Sequence, residues 1–102
     1  MRESLTPSGL KSYNVFMRIF LTTKVWKERS HYIAYTPELD IASQGKSAVH
    51  AEERLREAVT LFLEETKRMG TLDLVLEKAG FLKKGHRWLT PQVSISSLEV
   101  VA

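Results

Sequence analysis

The chain contains no cysteine among its 102 residues. That excludes disulfides, thiolate metal sites and cysteine nucleophiles, and it fits a reducing cytoplasm. Proline occurs three times and glycine five times, so each marks a place where the backbone changes direction. Apolar runs extend only a few residues, far short of the roughly 20 that span a bilayer. No signal-peptide apolar core follows Arg2, Glu3 and Ser4-Leu5-Thr6-Pro7. There is one more absence with consequences: Tyr13 to Trp26 holds neither Asp nor Glu. A two-metal nuclease whose metal-binding acids stand on the first strand of its sheet is argued against, because this stretch has none to offer.

What is present reads as one globular domain. The chain has 43% hydrophobic and 26% charged residues, and a net charge of +3 with acids and bases interspersed. Residues 1–12, with Pro7, Gly9 and three serines, read as a flexible leader ahead of a single domain over 13–102. Met17-Arg18 offers an internal start, so the leader is expected to be dispensable. From Tyr13 to Trp26 the residues alternate. Val15, Met17, Ile19, Leu21, Thr23 and Val25 share one face of a strand, and Asn14, Phe16, Arg18, Phe20, Thr22, Lys24 and Trp26 share the other. The second set mixes aromatics with cations, as on a half-covered face.

Lys27 to Ser30 has the length of a hairpin loop. His31 to Thr36 is the second strand, stopped by Pro37, which cannot donate to a ladder. Glu38-Leu39-Asp40 turns the chain into a brief third strand, Ile41 to Gln44. Gly45-Lys46-Ser47 resembles the end of a phosphate-binding loop, but Asp40 stands where that loop requires glycine, and a turn with a helix cap explains the same residues. From Ser47 a long amphipathic helix runs to Gly70. Its apolar stripe is Ala51, Leu55, Ala58, Phe62 and Met69, with Ala48, Val59 and Thr66 beside it. Glu52–Arg56 and Glu64–Arg68 are spaced as ion pairs. His50 occupies the position where a capping box carries Glu or Gln. Thr71 is placed to cap a short helix, Leu72 to Ala79. Phe81-Leu82, a basic loop of Lys83, Lys84, Gly85, His86 and Arg87, and Trp88-Leu89 follow. A last strand is expected over Val93 to Val101, with a bulge near Ser96-Ser97 where the alternation changes phase. The fold class is therefore α+β: a three-stranded antiparallel sheet packed by one long helix, then a short helix and a final strand, in the order β-β-β-α-α-β.

The search for chemistry yields no catalytic residue, no metal ligand set and no cofactor motif. No base accompanies the serines in a nucleophile pattern, and His31, His50 and His86 show no ligand spacing. Lys83, Lys84 and Arg87 beside Trp88 form a cation-plus-aromatic cluster of the kind that holds nucleic acid through phosphate contacts and stacking. A small RNA-binding module using this loop is one functional reading.

Several short stretches carry a family resemblance in consistent order. They are Val25-Trp26-Lys27-Glu28, Tyr32-Ile33-Ala34-Tyr35-Thr36-Pro37-Glu38-Leu39, Ala42-Ser43-Gln44-Gly45-Lys46-Ser47, and the helix from Leu55 to Glu65. Ala79-Gly80-Phe81 and Ile95 to Val100 extend the match. Together they resemble the HicB-like antitoxin family (UPF0150-type) over about residues 15–101. Thr36, where cysteine is frequent, and His50, where glutamate is usual, depart from its pattern. So does the basic net charge.

The resemblance implies a partial RNase H-like fold without catalytic acids. It also implies a non-catalytic cytoplasmic protein that binds and blocks a small HicA-type mRNA interferase toxin. Members of the family are commonly homo-oligomers, dimers or higher. Some carry an added DNA-binding domain, and none is expected within these residues. On this reading the partner-binding residues are Trp26, Tyr32, Tyr35, Pro37, Glu38 and Leu39. Tyr and Trp there supply rigid contact area at low entropic cost.

Overall fold

The computed structural model describes residues 18–85 and 87–102. Three strands, β1 (Lys24–Glu28), β2 (His31–Thr36) and β3 (Ile41–Gly45), precede a long helix, α1 (Ala48–Met69), and a short one, α2 (Leu72–Lys78). A hairpin of β4 (Leu82–Lys84) and β5 (Arg87–Leu89) follows. The sheet is an antiparallel meander in the order β1-β2-β3. Trp26 stands opposite Ile33, and Ala34 lies between Val25 and Ser43. The α+β fold expected from the sequence is the fold observed.

Small side chains let α1 lie close on the sheet. Ala34, Ala51 and Leu55 form the buried centre, with Val25, Tyr32, Ile41 and Val59 packed around them. Gly45 is the tightest point. A Cβ there would sit 2.6 Å from the backbone nitrogen of Ala51 and 2.9 Å from the carbonyl carbon of His50. Only glycine allows β3 to pass the first turn of the helix. Ser47 caps that turn, its Oγ accepting from the His50 N–H at 3.1 Å.

The other end of α1 carries a second small core. Leu76 and Phe81 are buried there, and so is Thr66 of α1, whose hydroxyl donates to the Leu63 carbonyl. Gly80 (φ 96°) reverses the chain after α2. The Phe81 N–H then reaches the Leu76 carbonyl and the Gly80 N–H the Glu77 carbonyl. This double closure also brings Phe81 onto Leu76, as a Schellman motif does. The strands of the meander contact neither α2 nor the hairpin, so α1 alone joins the two packing units among the described elements.

Several expectations need correction. The first strand is short: 13–17 lie outside the described residues, and 18–23 are not in a ladder. In the observed register Thr23 would face Thr36 and Thr22 would face Pro37, so β2 runs out before β1 can continue. The alternation itself persists, with Ile19 and Leu21 half-buried and Phe20 exposed. Met69, expected on the apolar stripe, is exposed, whereas Thr66 beside that stripe is buried. Arg68 pairs with Glu65 rather than Glu64. Thr71 does not cap α2 with its side chain; its hydroxyl donates to the Thr66 carbonyl at 3.4 Å.

The strand placement after α2 also differs. The stretch expected to be a basic loop forms the β4-β5 hairpin, turning at Gly85 (φ 64°), whereas 93–101 is in no strand.

Candidate functional site

Strand parity sorts the expected partner-binding residues. On β2, Tyr32, Ala34 and Thr36 point toward α1, and Ile33 and Tyr35 point away. On β1, Val25 faces the helix while Lys24 and Trp26 face outward; on β3, Ala42 and Gln44 face outward. Trp26, Ile33, Tyr35 and Ala42 therefore form a continuous apolar patch across the outer face. Trp26 retains 43% exposure, and no other described element lies over the patch. Tyr35 and Trp26 are diagonal neighbours across the β1-β2 ladder, close enough for large side chains to act as one surface.

Tyr32 is on the opposite face. It packs against the core cluster, and the Lys27 ammonium lies 5.9 Å from its ring centroid. It cannot share a contact surface with Trp26 and Tyr35. Glu38 has an internal task. One carboxylate oxygen accepts from the Thr22 N–H at 3.0 Å and the Thr36 hydroxyl at 3.1 Å, and the other accepts from the Thr22 hydroxyl at 2.6 Å. Glu38 thus ties the segment before β1 to the turn after β2. Pro37 is exposed and Leu39 half-buried in the same turn, which closes with an Asp40 N–H to Pro37 carbonyl bond of 3.3 Å.

Two groups here carry perturbed acidity. Burial of the Glu38 carboxyl acts to raise its pKa, but the bonds from the Thr22 hydroxyl, the backbone N–H groups of Glu38 and Thr22, and the Thr36 hydroxyl outweigh it. Together they hold the carboxyl below its ordinary value. The Tyr35 hydroxyl donates to Asp40 Oδ1 at 2.8 Å. That bond, with desolvation and the carboxylate charge, holds the phenol above its ordinary value. The bond also restrains the Tyr35 ring at the edge of the patch. Asp40 adopts φ 55°, a left-handed conformation that a short polar side chain tolerates.

The basic cluster is divided by its own hairpin. Lys83 and Trp88 stand opposite each other on one face, the ammonium 5.7 Å from the ring centroid and 2.9 Å from Asp73 Oδ2. Lys84 and Arg87 stand opposite each other on the other face. His86 lies outside the described residues. A strand therefore separates the Trp88 ring from two of the cations expected to act beside it.

Ile33 and Ala42 complete the outer patch and were not among the residues expected to bind a partner. The signal for Ile33 was present, since it shares the phase of Tyr35 in a strand whose bounds were read correctly. Among the described residues no three His, Asp or Glu side chains group as metal ligands, and no described helix is long and apolar enough to cross a membrane. Comparison with models of known families, with curated proteins and with solved structures finds no match.

Proposed function

We propose that this chain is a non-catalytic, HicB-like antitoxin-type protein of the cytoplasm, which binds a small HicA-type mRNA interferase toxin and covers its active site. The observation that carries the reading is the open outer face of the meander. Trp26, Ile33, Tyr35 and Ala42 form a rigid apolar surface on a backbone held from behind by α1. Aromatic anchors on a preformed scaffold are what a protein–protein contact uses, because little side-chain freedom is lost on binding. The motif order around Trp26 and from Tyr32 to Leu39 supports the choice of partner class.

The test is co-expression with the product of the adjacent reading frame, scored for growth rescue. Rescue by the intact chain, lost in a Trp26→Ala/Tyr35→Ala variant, is the expected outcome. A neighbouring product that is harmless alone, or is neutralised equally well by the variant, contradicts the proposal.

A second reading is RNA binding through the β4-β5 hairpin. It is supported by Lys84 and Arg87, two exposed cations directly opposite each other. On that reading, Lys84→Ala/Arg87→Ala abolishes RNA retention and flattens its salt dependence. Toxin neutralisation is expected to be unaffected by the same change.

A further inference from the structure

The segment that follows Pro91, expected to be a strand, pairs with no strand among the described residues. Residues 90–102 run without turn or bend, and Val93, Ile95, Leu98, Val100 and Val101 are 48–91% exposed. The segment leaves from the α2 end of the molecule, where Pro91 lies against Gly80. A flat, apolar, unpaired extended segment calls for a sheet edge to join.

The molecule carries such an edge on β1. A two-residue loop fixes Glu28 opposite His31, so Lys24, Trp26 and Glu28 exchange their backbone bonds with β2, and the N–H and C=O of Val25 and Lys27 point outward. Those groups have no backbone partner among the described residues. The edge and the segment also match in shape and charge. Residues 18–28 are unbent, like 90–102. The edge bears Lys24 and Lys27, with Arg29 at its end, against Glu28, whereas Glu99 is the one charged side chain of 90–102.

We propose that the Val93–Val101 segment of one copy adds as a strand to the β1 edge of a second copy, giving a two-fold dimer that exchanges its tails. Each copy supplies one segment and one edge, so the arrangement closes on itself. The change of phase at Ser96-Ser97 gives the added strand apolar residues on both sides. One row extends the Trp26 side of the sheet, and the other lies beside Val25, which α1 leaves half-buried. This inference is independent of any toxin partner.

The absence of cysteine makes the test clean. One batch of full-length chain carries Lys27→Cys, and others carry Ser94→Cys, Ser96→Cys or Ser97→Cys. The expected result is a covalent dimer formed on mild oxidation of an edge batch mixed with a tail batch, and formed poorly by either batch alone. In sedimentation velocity the unmodified chain should run as a dimer, and Ile95→Pro should run as a monomer with an unchanged circular dichroism spectrum. Three results would overturn the proposal: a monomeric unmodified chain, cross-links confined to tail–tail pairs, or a Lys27→Cys/Ser97→Cys double variant that closes within one chain.

Discussion

At the scale of single residues, Gly45 and Glu38 hold more than their neighbours do. Gly45→Ala forces a Cβ onto helix backbone at 2.6 Å, where no flexible side chain can move aside. The expected loss is about 1–3 kcal/mol, the range for overpacking a close contact, read as a lowered urea midpoint with unchanged slope. Glu38 makes stability depend on pH. Its folded pKa is lowered, so its contribution is present above the unfolded carboxylate value and is lost as pH falls through the folded one. The intact chain should therefore lose stability on acidification more steeply than Glu38→Gln. Parallel thermal melts across the acid range check this, and identical slopes would remove Glu38 from the account. Tyr35 works in the opposite sense. Its raised pKa means that the Asp40 bond contributes below the ordinary phenol value and fades as alkaline pH passes the folded one.

At the scale of elements, α1 begins with an incomplete cap. Ser47 supplies one acceptor, and His50 reaches back to the Lys46 N–H with Nδ1 at 3.3 Å, while its Nε2 lies 3.3 Å from the Arg54 Nε–H. A neutral imidazole has one lone pair, so it accepts only one of these at a time. Two substitutions follow from this geometry. Ser47→Ala should cost about 1 kcal/mol. His50→Glu, which places a carboxylate at the helix N-terminus, should gain roughly 0.3–1 kcal/mol. Chemical denaturation of both variants is the check.

The elements that were legible in the sequence are those with local punctuation. Pro37 ended β2, Ser47 began α1 and Gly70 closed it. The misplaced ones depended on partners far along the chain. Nothing within 18–23 says that β2 stops at Thr36, and nothing within 93–101 says that its own sheet leaves it unpaired. The β4-β5 hairpin was hidden because Lys83, Lys84 and Arg87 read as a solvated loop, although Leu82, Lys84, Arg87 and Leu89 lie on one face of a ladder turned by Gly85. The candidate site was half legible. Alternation placed Trp26 and Tyr35 outward, but Tyr32 was grouped with them by residue type although its parity placed it inward.

At the scale of the whole molecule, α1 divides the labour. Its first half supports the sheet with Ala51 and Leu55, leaving the outer face little structural duty beyond the Tyr35–Asp40 bond, and its second half carries α2, where the Thr71 N–H and hydroxyl both donate to the Thr66 carbonyl. That separation predicts that the outer face can be altered without unfolding the chain. Trp26→Ala/Tyr35→Ala should keep the helical circular dichroism signal, whereas Leu55→Ala should cost about 2–5 kcal/mol. The most direct test of the docking face is a calorimetric titration of the purified chain with the product of the adjacent reading frame. The account predicts saturable binding by the intact chain and at least a tenfold weakening in the folded Trp26→Ala/Tyr35→Ala variant. Equal affinity for the two would show that the outer face of the sheet is not where the partner docks.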